Sequence, residues 1–179
     1  MDSERQLLQR MQEGDRKAQR ELYDRFAPLA MAQAMRYVAN RETACDVLQE
    51  SFVKILTAVS RFQYRGEGSL RGWVLSIVSH VAVDWLRQNR RMQLTADLPD
   101  DLPDEEPDVG SVPMEVMQHM IEQLPDGYRT VFCLFVFDRK SHKEIAQTLG
   151  IKENTSASQF LRAKRLLANM ITNYQRQQQ

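Results

Sequence analysis

A chain of 179 residues with 24 Lys and Arg against 24 Asp and Glu has no net charge, and its 42% hydrophobic content suits one soluble domain or two small ones. No apolar run approaches the roughly 20 residues of a membrane helix, and MDSERQLLQR at the start has no apolar signal core, so no membrane insertion is expected and the chain is assigned to the cytoplasm. Cys45 and Cys133 stand alone in apolar-periodic stretches without a CxxC or Cys/His cluster, which predicts two buried, reduced thiols and no metal site.

Charge is distributed in blocks. Residues 1–92 hold 15 Lys and Arg against 11 Asp and Glu (+4), residues 93–120 hold none against 8 (−8), and residues 121–179 hold 9 against 5 (+4). Two basic bodies joined by an acidic strap are expected.

The first body, 1–92, is predicted to be helical. Ala18, Leu22 and Phe26 are spaced by four, and Leu48, Phe52, Ile55, Leu56 and Val59 repeat a helical stripe. A longer helix is predicted from Ser69, as its N-cap, to about Arg91, with Leu70, Trp73, Val74, Ile77, Val81 and Trp85 as its core face. A second stripe, Ser76, His80, Val83, Arg87 and Arg90, is poorly apolar and ends basic, which suits a helix laid along nucleic acid.

The segment LTADLPDDLPDEEPDVGSVP combines four prolines with seven acids and can neither continue a helix nor bury a face. Residues 93–111 therefore read as a flexible linker. The second body, 112–179, is predicted to open with helices near 112–124 and 126–138; the VFCLFVF run at 131–137 is helical rather than a strand because its neighbours are. Ser141-His142-Lys143-Glu144 is a capping box, so a helix starts there and runs to Leu149. Gly150 breaks it, and a helix of over 20 residues begins near Lys152. Helix, short turn, helix is the helix-turn-helix arrangement, whose second member enters the DNA major groove. Phe160, Ala163, Leu167, Met170, Ile171 and Tyr174 make the apolar side of that member. Asn154, Thr155, Ser158, Gln159, Arg162 and Arg165 are expected to face out as partners for base edges and phosphates. The fold class is thus all-α, two small helical domains joined by an acidic linker.

Five stretches, in this order, resemble the sigma-70 superfamily of RNA polymerase sigma factors, specifically its extracytoplasmic-function group: GDRKAQRELYDRF; DVLQESFVKIL from Asp46; YRGEGSLRGWVLSIVSHVAVDWLRQNRR from Tyr64; and IEQLPDGYRTVFCL followed by SHKEIAQTLGIKENTSASQFLRAKRLL. The resemblance covers about residues 8–92 and 112–170. It implies a region 2 bundle and a region 4 helix-turn-helix that together direct core RNA polymerase to promoter DNA and help open it. Asp46, Gln49 and Glu50 would dock on a basic coiled coil of the polymerase clamp. Tyr64 with the loop Gly66-Glu67-Gly68-Ser69 would hold a base flipped from the minus-ten element. Ser76, His80, Arg87, Arg90 and Arg91 would steer the opened strand, and Ser158 with Arg162 would read the minus-thirty-five element. An anti-sigma protein is the further partner the group implies. Two residues depart from the family's usual pattern: His80 stands where Asn is common, and Ala157 where Lys or Arg often precedes the recognition serine.

Two other classes fit parts of the sequence. A stand-alone helix-turn-helix regulator would bind duplex DNA without polymerase, as a dimer on a two-fold operator. A nuclease would need the acids between Asp97 and Asp108 to hold metal, yet these lie in a Pro-rich strap with no His/Asp constellation beside them. No catalytic residue and no cofactor are therefore expected.

Overall fold

The computed structural model describes residues 3–89, 110 and 112–178, and these contain helices and no strand. The predicted linker, apart from Gly110, and the strand-steering Arg90 and Arg91 lie outside the described residues. The chain divides into two compact units, Met1–Trp85 and Leu86–Gln179.

In the first unit, α1 (Glu4–Gln12) opens on a capping box between Ser3 and Gln6. Its Leu7, Leu8 and Met11 are buried. Asp15 caps α2 (Arg16–Val38) by accepting from the Lys17 N–H, and the Arg10 guanidinium bonded to Asp15 holds that carboxyl below its usual pKa. Helix α2 passes through Pro28 and ends at Ala39 in the left-handed region (φ 48°); Asn40 then caps α3 (Arg41–Ala58). The stripe Ala18, Leu22 and Phe26 is buried as its spacing predicts, and α2 packs along α3. On α3, Leu48, Phe52 and Ile55 are buried, as is Val59 just beyond, but Leu56, grouped with them by spacing, is exposed, and Cys45 is half-buried where burial is expected, unlike the buried Cys133.

A short 3-10 turn, Val59–Arg61, leads to the loop before α4 (Ser69–Gln88). The core face of α4 is rotated from the predicted one. Leu70, Val74 and Val81 are buried as expected, joined by Val78 and Ala82, while Trp73, Ile77 and Trp85 are only half-buried. Val83, assigned to the polar stripe, is buried, and Asp84 takes its place on the exposed side. The Gln33 amide donates to Ser79 Oγ at 2.8 Å, a buried polar tie between α2 and α4.

In the second unit, α5 (Met114–Glu122) and α6 (Asp126–Val136) precede the helix-turn-helix pair α7 (His142–Leu149) and α8 (Glu153–Gln177). The VFCLFVF run is helical through Val136. Ser141 and Glu144 form the predicted capping box, with Ser141 hydrogen bonds holding the Glu144 carboxyl below its usual pKa. Gly150 ends α7 at φ 68°, a left-handed conformation that favours glycine. Helices α6 and α7 both pack on α8, whose Ala163, Leu167 and Ile171 are buried.

Candidate nucleic-acid interface and docking faces

Helix α3 separates two kinds of residue along its length. Ala44, Val47, Leu48, Ser51, Phe52 and Ile55 are buried. Asp46, Gln49 and Glu50 are exposed, together with Val53, which is 65% accessible. Glu50 pairs with Lys54 at 2.8 Å, but both are about half exposed, so the pair contributes little to stability. The three residues predicted to dock therefore share one face, and Val53, together with Leu56 that spacing places in the core, adds exposed apolar surface beside them.

The loop between the 3-10 turn and α4 borders a cavity of about 550 Å³, lined by Ala58, Arg61, Phe62, Gln63, Arg65, Ser69 and Trp73. Its wall is aromatic, with the Phe62 and Trp73 ring centroids 4.7 Å apart, and Arg61 and Arg65 are exposed. Tyr64 is half-buried beside it, and its hydroxyl donates to Glu67 Oε2 at 3.0 Å. Desolvation, then the Glu67 hydrogen bond, raises the Tyr64 pKa above that of a free phenol. Gly66 and Gly68 adopt φ of +117° and +85°, which explains glycine at both positions. Ser69 is the first residue of α4 rather than its cap: its hydroxyl donates to the Gly66 carbonyl at 2.6 Å and accepts from the Arg65 N–H at 3.2 Å. The sequence gives no role to Arg61, Phe62, Gln63 and Arg65, and places Trp73 in the core face of α4 rather than at this cavity. The interleaved Arg and aromatic residues of RFQYR were the available signal.

Along α4, Ser76, His80 and Arg87 are exposed as expected. On α8, Asn154 and Ser158 are exposed, with the Ser158 hydroxyl donating to the Thr155 carbonyl at 3.0 Å. Thr155, Arg162 and Arg165 are half-buried at the flanks. Gln159 is 1% accessible, so it is not on the outward face; it lies four residues before the buried Ala163 and belongs to that side. The outward stripe runs instead through Asn154, Ala157, Ser158, Leu161 and Lys164. The pose of α8 against α7 is set by a cluster the sequence did not reveal. His142 Nδ1 lies 3.0 Å from the buried Ser156 hydroxyl, and its ring stacks on Phe135 at 4.7 Å, which in turn meets Phe160 at 4.4 Å.

Among the described residues no cluster of His, Cys, Asp or Glu could hold a metal, and no helix is long and apolar enough to cross a membrane.

Two family descriptions match the chain: Sigma-70 region 2 over residues 22–92 and Sigma-70 region 4 over residues 114–167. An RNA polymerase sigma factor of Bacillus subtilis, YlaC, is 28% identical over 142 residues, covering 73% of this chain and 78% of its own. The extracytoplasmic-function sigma-E factor of Haemophilus influenzae is 27% identical over 179 residues, covering 92% and 93%. The solved structure of CnrH, in complex with the cytosolic domain of CnrY, superposes with a TM-score of 0.51 at 23% identity, covering 96% of this chain and 99% of that one; it shares the fold. With both conserved regions matched in order over helices of the expected placement, the chain belongs to the sigma-70 family, among the extracytoplasmic-function RNA polymerase sigma factors.

Proposed function

We propose that this sigma factor divides its work among the three faces described above and performs no chemistry of its own. It acts in the cytoplasm as a non-enzymatic subunit. Residues 1–92 bind polymerase and open the minus-ten element, residues 112–179 read the minus-thirty-five element, and residues 93–111 join them. In the first, Asp46, Gln49 and Glu50 meet a basic surface of core RNA polymerase. An unpaired base enters the cavity beside Tyr64, within reach of Phe62 and Trp73 for stacking and of Arg61 and Arg65 for phosphate. Ser76, His80 and Arg87 follow the opened strand. On α8, Asn154 and Ser158 meet base edges, Leu161 offers apolar contact to a thymine methyl, and Arg162 and Lys164 meet phosphate. An anti-sigma protein that covers the α3 face is the second protein partner.

The observation that carries the reading is the division of α3. An acidic, partly apolar face on a helix whose opposite side is core has no structural use in a stand-alone DNA binder, and DNA would repel it; a basic protein partner explains it. The test is Asp46→Arg with Glu50→Arg. Affinity for core polymerase is expected to fall roughly tenfold or more, because like charges across an interface cost several kcal/mol. The fold should hold, since both side chains are exposed and the new i,i+4 repulsion with Lys54 costs only about 0.2–0.5 kcal/mol. Unchanged affinity would remove α3 from the docking face.

A further inference from the structure

A helix begins with backbone N–H groups that have no partner within it, and the usual remedy is a side chain immediately upstream. Helix α4 does not use one, because Ser69 is turned back into the loop. Its first donors go to Glu4, more than 60 residues away in sequence. Glu4 Oε2 accepts from the Gly68 N–H at 2.9 Å and the Leu70 N–H at 3.1 Å, and Oε1 accepts from the Arg71 N–H at 3.3 Å. The Glu4 side chain is buried, its residue 3% accessible. A buried carboxylate with three backbone donors is a strong, directional tie. It joins the first residue of α1 to the loop whose Glu67 receives the Tyr64 hydroxyl and whose Ser69 lines the cavity.

We propose that Glu4 is a positioning residue for strand opening: by clasping the N-terminus of α4 it holds the Tyr64–Ser69 loop in the form that receives an unpaired base. The inference rests on the proposed use of that cavity. Gly66 and Gly68 make the loop adaptable, and both sit at positive φ. Without the clasp three buried or partly buried N–H groups would seek other acceptors, and the loop would sample other turns. Helix α1 itself would stay, because Leu7, Leu8 and Met11 anchor it.

The experiment uses polymerase holoenzyme carrying the full chain with Glu4→Ala, Glu4→Gln, Tyr64→Ala, or Glu4→Ala with Tyr64→Ala. Closed-complex affinity and the rate of strand opening, read by permanganate reactivity of thymines, are measured separately on one promoter. Glu4→Ala is expected to slow opening about tenfold while closed-complex affinity stays within about twofold, the size expected from losing charge-assisted hydrogen bonds at one loop. Glu4→Gln, which keeps one acceptor oxygen, should fall between. The double variant should open no more slowly than Tyr64→Ala alone, since both changes act through one site. Hydrogen exchange adds a readout in the free protein: protection of the Gly68, Leu70 and Arg71 amides should fall in Glu4→Gln while that of the α2 amides does not, which keeps the proposal testable even where Glu4→Ala does not fold. Normal opening by Glu4→Ala or Glu4→Gln beside impaired opening by Tyr64→Ala would overturn the inference and leave the cavity reading intact. Losses that multiply in the double variant would overturn it too, assigning Glu4 to general stability. Normal opening by Tyr64→Ala would overturn the cavity reading and this inference with it.

Discussion

Arg129→Ala is expected to unfold α5 to α8 while leaving the first unit folded. Arg129 is 2% accessible, and its guanidinium donates to the Glu122 carbonyl at 3.0 Å and the Leu124 carbonyl at 2.6 Å, and pairs with the Asp126 carboxylate. These bonds satisfy the carbonyls that close α5 and the turn into α6. Removing the guanidinium leaves the buried Leu124 carbonyl and the part-buried Glu122 carbonyl without their partner, at about 1–3 kcal/mol each, while the Asp126 carboxylate, 27% exposed, is taken up by water. A helical unit of this size has a total stability on the order of 3–10 kcal/mol, so the loss is a large share of it. Both tryptophans, Trp73 and Trp85, lie in the first unit, so its unfolding can be followed by their fluorescence. The expected result is a parent-like fluorescence transition with lost amide protection in α6 and α8. Retained protection there would mean that the Arg129 bonds contribute little to holding the unit together.

Tyr64→Ala is expected to slow promoter opening by about 5- to 150-fold, the equivalent of the 1–3 kcal/mol that aromatic stacking on an unpaired base supplies. The proposed contact would form only after the base has left the helix, so binding to the closed duplex should change little. Folding should change little as well, because the one hydrogen bond lost is to the exposed Glu67 carboxylate, which water can then solvate. Permanganate reactivity of single-stranded thymines reads the outcome, and equal reactivity in variant and parent complexes would exclude Tyr64 from base capture.

What could be read from the sequence is what short-range physics determines. The Ser141 capping box, the left-handed Gly150 and the helix through VFCLFVF depend on neighbours within a turn, and all three are present. Helix α1 carries the same kind of local signal, Ser3-x-x-Gln6 as a capping box followed by Leu7, Leu8 and Met11. The orientation of α4 was not accessible. Leu70, Trp73, Val74, Ile77, Val78, Val81, Ala82 and Val83 cover most of its circumference, so spacing alone cannot choose the buried stripe. Gln159 is polar and is expected outward, yet its four-residue steps to Ala163 and Leu167 put it on the inner side. The ties that shape the candidate sites are non-local. Glu4 to the α4 N-terminus, Gln12 to the Val59 and Phe62 carbonyls, and His142 to Ser156 join residues that no local pattern connects.

As a sigma factor this chain confers promoter-specific initiation on core RNA polymerase, which run-off transcription on genomic fragments can test. Core polymerase alone should give no discrete products, and adding the chain should yield transcripts with defined start sites from a subset of fragments. Charge reversal at Asp46 and Glu50 should remove them. Discrete duplex binding by the chain alone, with no new transcript when polymerase is present, would contradict the account and point to a stand-alone regulator.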